Sequence, residues 1–307
     1  MSKNVPGIMR QKPITPWLYL LPAMIVMITF IVYPGVNTFY LSLRNADNTA
    51  WASAVCKADQ PCWGIFENYH YAITSDIMLT SFVNNLKWIV IMVTGTVGLG
   101  LLIAVLADRV RYESIAKSII FLPMAISFVG AGVIWKFMYN YESGTNQIGL
   151  LNAILTAFGG QPVSWLTEPQ INIIALIAVG VWMWTGFCMT ILAAGLRGVP
   201  EEILEAARVD GASEWMVFWK IMIPQILPTI TVVITTMVIN VLKIFDIVYV
   251  MTGGNYGTEV IANRLYTEMY KNYQPGRASA IAVVLILVIV PAMIMNIRRF
   301  NEQEAAR

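Results

Sequence analysis

Few residues in this chain have the types and spacing for chemistry. Its one histidine, His70, stands between Tyr69 and Tyr71. No Cys/His/carboxylate cluster has metal-ligand spacing, so a solvated or locally hydrogen-bonded His70 is the simpler reading than a ligand or a general base. No G-x-x-x-x-G-K-[ST] sequence occurs, so the chain has no P-loop to cradle nucleotide phosphates, and Gly253-Gly254 reads as a turn. Two groups of residues remain. One is a charged island, Glu201, Glu202, Glu205, Arg208 and Asp210, between long apolar stretches. The other is a polar set inside an apolar stretch, Thr235, Thr236, Asn240, Lys243 and Asp246. On a helix Thr236, Asn240 and Lys243 fall at i, i+4 and i+7 and form one stripe. A charge at the bilayer centre costs roughly 2.5–3.5 kcal/mol, so such a stripe faces a bundle interior or a cavity. Lys243 and Asp246, three apart, have the spacing to pair. The stripe either fastens one helix to a neighbour by hydrogen bonds or lines a path for a polar solute; for Thr236 and Asn240 the path is the favoured use. Trp182, Met183, Trp184 and Phe187 add aromatic faces that either pack or stack on the apolar faces of sugar rings.

The elements that must position these residues are membrane helices. A hydrophobic fraction of 57%, 12% charged residues and a mean hydropathy of +0.64 exceed what a soluble domain carries. Apolar runs long enough to cross a bilayer predict six spans, roughly Trp17–Val36, Asn84–Ala107, Ile119–Tyr139, Ile171–Leu196, Gln225–Met251 and Ser279–Ile297. An even number puts both termini on one side. That side carries Lys3, Arg10, Lys12, Arg109, Arg111, Lys117, Arg197, Arg208, Lys220, Arg298, Arg299 and Arg307. The other carries Arg44, Lys57, Arg264, Lys271 and Arg277. The positive-inside rule therefore places the termini and the charged island in the cytosol; the net charge of +2 decides nothing. Span one begins after Pro13 and Pro16 without a cleavage pattern and is expected to stay as an uncleaved anchor. Residues 17–297 read as one transmembrane domain between cytosolic tails 1–16 and 298–307, with an outer loop at 44–82. Cys56 and Cys62, in that outer loop, form either a disulfide or two reduced thiols. Cys188 is expected to be a small buried hydrophobe.

The island, residues 198–224, predicts two surface helices joined by a turn. Acids precede Arg208 in the first, Asp210-Gly211 forms the turn, Ser213 caps the second, and Pro224 closes it. Glu205-Ala206-Ala207, Asp210-Gly211-Ala212, Ile221 and Pro224 resemble, position by position, the EAA loop of ABC-importer permeases. Further segments resemble the carbohydrate branch of that family: Pro16 to Pro22, Phe121-Leu122-Pro123, Trp135 to Asn140, Phe245 to Gly254 and Gly276 to Ala280. The resemblance covers nearly the whole chain.

It implies an all-α polytopic bundle of the type I importer, maltose-permease-like fold in a bacterial cytoplasmic membrane. The EAA loop would be the coupling helix. The implied partners are a second homologous permease, two ATPase subunits that bind ATP and Mg, and an extracytoplasmic solute-binding protein, with no nucleic acid. The chain itself would be a transport subunit without cofactor, metal or catalytic residues. Counted from the EAA glutamate, Met183, Trp184 and Phe187 match positions that line the sugar site of maltose-type permeases. Thr236, Ile239, Asn240 and Lys243 match others, with a one-residue gap near Pro224–Pro228. Most residue types differ there, so the sugar does not carry over. An α-glucoside such as trehalose, maltose or glucosylglycerol is the expected substrate, with glycerol phosphate as the alternative. An ion-coupled transporter using Lys243 and Asp246, or a membrane-embedded enzyme, would need no EAA loop.

Overall fold

The computed structural model describes residues 15–51, 64–108, 110–144 and 147–305; Cys56 and Cys62 lie outside them. Among the described residues the regular structure is helical, apart from one antiparallel bridge between Arg44 and Trp51. Five helices are long and apolar enough to cross a membrane: Pro16–Ser42, Asp76–Ala107, Asn172–Arg197, Glu214–Leu242 and Pro275–Met295, the last continuing to Ala305. The expected third span is split into Glu113–Ala125 and Phe128–Met138, bent 99° at the break.

That break corrects the single third span expected from the sequence. Pro123 lacks an N–H and opens a 3-10 turn, Leu122–Ala125, after which Ile126 is extended. Ser127 then caps a new helix, its Oγ accepting from the Gly130 N–H at 3.0 Å.

Span five needs two corrections. The helix does not stop at Pro224. Glu214–Leu242 is continuous, passing through a wider turn at Phe218–Met222 in which the Ile223 N–H reaches Phe218 O. This wider turn lets Pro224 sit in the helix without the usual donor. Nor does the helix reach Met251. It ends at Leu242 with Lys243 as its C-terminal cap, and a separate helix, Asp246–Met251, follows. Lys243 and Asp246 are therefore not on one helix, and no ion pair joins them among the described residues. Each charge instead sits at a helix end of the sign that suits it, a cation at a C-terminus and an acid in a first turn.

Span four is the axis of the bundle: 61% of its apolar window is buried, against none of span one's. It packs on spans two, three and five around a core that includes Trp88, Leu176, Met183, Met189, Leu192 and Met237. Gly186 makes the closest approach; a Cβ there would lie 2.6 Å from Ile120 O and 2.7 Å from Phe121 Cα. Small residues at such crossings let backbones meet without a strong hydrophobic drive. Cys188 is fully buried in the same core.

The segments expected on the outer side are fixed by buried amides. Asn84 Nδ2 donates to Gly257 O and Glu259 O at 2.7 and 2.9 Å, and Asn172 Nδ2 donates to Tyr256 O at 2.7 Å. The loop after span five is thereby tied to spans two and four. Within the predicted outer loop at 44–82, Glu67–Thr74 is helical and the helix of span two already starts at Asp76. Within that short helix, Thr74 Oγ1 and His70 Nε2 lie 3.4 Å apart.

Candidate functional site

At the expected cytosolic end, Glu201–Val209 forms the first arm of a hairpin. Glu201 and Glu202 lie in its first turn and Arg208 in its last, matching the helix dipole at both ends. Gly211 adopts φ +82°. The Ala212 N–H then reaches Ala207 O and the Gly211 N–H reaches Arg208 O, both at 3.0 Å. This pair of bonds is the Schellman closure of a helix, and glycine adopts its left-handed residue without steric cost. Ser213 Oγ caps the second arm through the Met216 N–H at 3.3 Å. Arg208 Nε donates to Glu214 Oε1 at 2.8 Å, clasping the two arms, and this raises the guanidinium's pKa above its ordinary value.

The hairpin presents its motif outward. Glu205, Ala206, Asp210, Gly211 and Pro224 are exposed, while Ala207, Ala212 and Ile221 are half-buried. Leu204 anchors the first arm on the bundle core. Two large apolar side chains at the hairpin stand in the open, Val209 at 87% and Trp215 at 72% exposure. Neither was singled out by the sequence reading; an apolar residue beside the Asp-Gly turn was the available signal. A cavity of about 420 Å³ lies beneath, between Leu102, Leu106, Leu196, Trp215, Phe218 and Met222.

Beside the hairpin an ion network ties the same ends of spans two, three and four. Lys117 Nζ lies 2.8 Å from Asp108 and 2.5 Å from Glu113, and Arg197 reaches Asp108 at 3.4 Å and also pairs with Glu113.

Within the bundle the predicted path residues gather around two small cavities. One, about 120 Å³, is lined by Met92, Phe128, Trp184, Asn240, Lys243, Phe245 and Asp246. The other, about 280 Å³, is lined by Thr236, Ile239, Asn240, Lys243, Met293 and Ile297. Asn240 and Lys243 line both. Asn240 Nδ2 donates to Thr236 O at 2.9 Å, which leaves its Oδ1 and second N–H for another partner. Phe187 stands edge-on to Trp184 at 5.5 Å and lines neither cavity. Met183 is 2% exposed and packs in the core, so the structure does not bring it to the cavities. Adjacent helix positions point about 100° apart; Trp184 faces the cavity and Met183 faces away.

The structure adds Phe128, which stacks on Trp184 at 5.9 Å and 25°, and Phe245. Phe128 reaches Trp184 because the break in span three starts a new helix there, a consequence of Pro123 and Ser127 that helical periodicity does not show. A larger cavity of about 650 Å³, near Leu99, Ile119, Ile177 and Trp182, is almost wholly apolar and gives a polar solute little to bond.

A helical bundle with a split third span, a surface hairpin and small cavities that share Asn240 and Lys243 has the features of a membrane transport subunit. Residues 96–299 match the model of the binding-protein-dependent transport system inner membrane component, and the chain belongs to that family. It is a multi-pass inner-membrane permease subunit of an ABC importer, with ATP hydrolysis supplied by separate subunits. It is 53% identical over 94% of its length to the whole of the osmoprotective compounds uptake permease GgtC of Synechocystis. It is 46% identical, again over 94% of its length and 83% of the relative, to the alpha-glucoside transport permease AglF of Rhizobium meliloti. With the trehalose/maltose permease MalF of Thermococcus litoralis the identity is 28%, covering 93% of this chain and 94% of that one. The fold matches a chain of a bacterial alginate importer at a TM-score of 0.75 and 22% identity, covering 92% and 95% of the two chains.

Proposed function

We propose that the chain forms one side of the translocation path for a neutral glycoside, such as an α-glucoside, trehalose, maltose or glucosylglycerol. The observation that carries this reading is the cavity where Trp184 and Phe128 offer aromatic faces beside the amide of Asn240. Aromatic faces suit the apolar faces of a pyranose, and amides suit its hydroxyls. The names of GgtC and AglF point to the same class. Glycerol phosphate fits less well: among the described residues Lys243 is the one cation lining the two cavities, beside Asp246.

Both cavities fall below the roughly 300–1,000 Å³ of a drug-sized ligand pocket. A second, homologous permease would complete the path. Two ATPase subunits holding ATP and Mg would take the hairpins in surface clefts, and an extracytoplasmic binding protein would deliver the solute. Slim Ala206 and Ala207 permit entry into such a cleft, Glu205 and Asp210 supply anionic contacts, and Val209 supplies an apolar tip. Their sites, like the cytosolic placement of both termini, rest on the motif and on the positive-inside rule. ATP-driven closure would draw the hairpins together and switch the bundle between access states.

The test is purification of the tagged chain with its partners in mild detergent, reconstitution, and uptake of labelled solutes. Competition by neutral glycosides and not by glycerol phosphate supports the reading. The reverse pattern, or recovery of the chain without an ATPase under conditions that preserve other membrane complexes, overturns it.

A further inference from the structure

Phe245 is the first rung of a ladder. Its ring stacks on Tyr249 at 5.1 Å and 22°. Tyr249 meets Tyr266 at 4.9 Å, and Tyr266 meets Tyr270 at 5.0 Å. The bottom rung lines the cavity shared with Trp184, Asn240 and Lys243. The top rung, Tyr270, is 62% exposed. It lies near the end of the helical stretch that leads to Gly276, whose N–H bonds Ala46 O in the outer loop. Phe245 also lies 5.3 Å from Tyr266, so Phe245, Tyr249 and Tyr266 form one cluster that joins the Trp184 cavity to the exposed Tyr270.

Two observations separate this ladder from ordinary packing. None of its rings belongs to either apolar cluster of the bundle, and Tyr249 is 36% exposed although it sits between two of them. Charges also follow the ladder: Lys243 and Asp246 flank its foot, and Lys271 Nζ lies 5.3 Å from the Tyr249 ring. Aromatic residues at a lipid interface are common, but lipid-facing charges are not. A stripe that carries both suits a water-filled path.

We infer that Phe245, Tyr249, Tyr266 and Tyr270 form a transit subsite along which the pyranose ring of a neutral glycoside passes from the outer rim to the Trp184–Asn240 cavity. The inference rests on the glycoside reading above. Cavity-lining Phe245 and the exposed parts of Tyr249 and Tyr270 offer apolar ring surface along this route, and the phenol hydroxyls can exchange bonds with the sugar's hydroxyls.

The test uses the complete importer in proteoliposomes with labelled trehalose and labelled glucosylglycerol as probes. Tyr249→Leu and Tyr266→Leu are each expected to lower uptake by roughly two- to tenfold, the worth of one aromatic contact. Tyr249→Phe and Tyr266→Phe, which keep the ring, should retain most of it. Tyr273→Leu, exposed and off the ladder, should match wild type. Leucine variants that assemble and transport at the wild-type rate overturn the ladder alone. A wild-type complex that takes up neither probe overturns the glycoside reading beneath it. If the leucine variants fail to assemble, wild type is photolabelled with a diazirine-bearing trehalose. Adducts on Tyr266 or Tyr270 support the ladder, and adducts confined to the Trp184 cavity overturn it.

Discussion

Replacing Gly211 tests whether the hairpin turn transmits force to the ATPase. The residue adopts φ +82°, and a Cβ built there meets nothing within 4 Å. Gly211→Ala therefore carries a backbone cost and no clash. An L-residue in the left-handed region costs roughly 1–2 kcal/mol, which lowers the population of the closed turn by about 5- to 30-fold. Asn tolerates this conformation better, so Gly211→Asn should recover part of the loss. Gly211→Pro is the extreme case. Its ring fixes φ near −65° and removes the N–H that now reaches Arg208 O, so the closure cannot form. The expected order of ATP-driven uptake in reconstituted complexes is Gly, then Asn, then Ala, with Pro inactive while membrane insertion persists. Glu205→Arg should also abolish uptake, by reversing the exposed charge on the first arm. Co-purified ATPase, measured alongside, separates lost docking from lost transmission. A proline variant that assembles and transports like wild type would refute the reasoning, as would equal rates for Asn and Ala.

Other sites give independent checks. Gly186→Ala should lower the thermal midpoint in detergent through about 1–3 kcal/mol of overpacking against Ile120 and Phe121, whereas Gly98→Ala, with open space, should not. Asn240→Leu should reduce uptake of a neutral glycoside by roughly two- to tenfold, the range of one net hydrogen bond, with ATPase co-purification unchanged. Glu259 is buried in the loop after span five, and burial holds its carboxyl above the ordinary value of 4.5. The folded state then binds this proton more tightly than the unfolded one. The resulting stability is present below the ordinary value and declines as pH rises through the raised one. Glu259→Gln should flatten the fall of the thermal midpoint over that window; an unchanged slope counts against the assignment.

The sequence alone determined the class of this protein and the place where its hairpin lies. Composition and span-length apolar runs require a membrane bundle, because only helices that bond their own backbones persist in lipid at this length. The turn was legible because Asp-Gly, a Ser cap and acids before Arg208 act through bonds to near neighbours. Local chemistry writes local structure. The polar stripe was also legible, since the i, i+4, i+7 spacing puts Thr236, Asn240 and Lys243 on one side and all three line one cavity.

Tertiary structure decided what depends on where helices stop and what they meet. Span five ends at Leu242, because Lys243 and Asp246 are each accommodated by a different helix end; hydropathy alone runs on to Met251. Pro224 reads as a stop, yet a wider turn absorbs its missing donor. Met183 and Trp184 are neighbours in the chain, but one is buried in the core and the other lines the cavity. Phe128 meets Trp184, and the pair Phe245–Tyr249 meets Tyr266, only through the break in span three and the folded-back segment after span five. Contacts of that kind are set by the packing of distant segments, and the spacing of residues along one segment does not encode them.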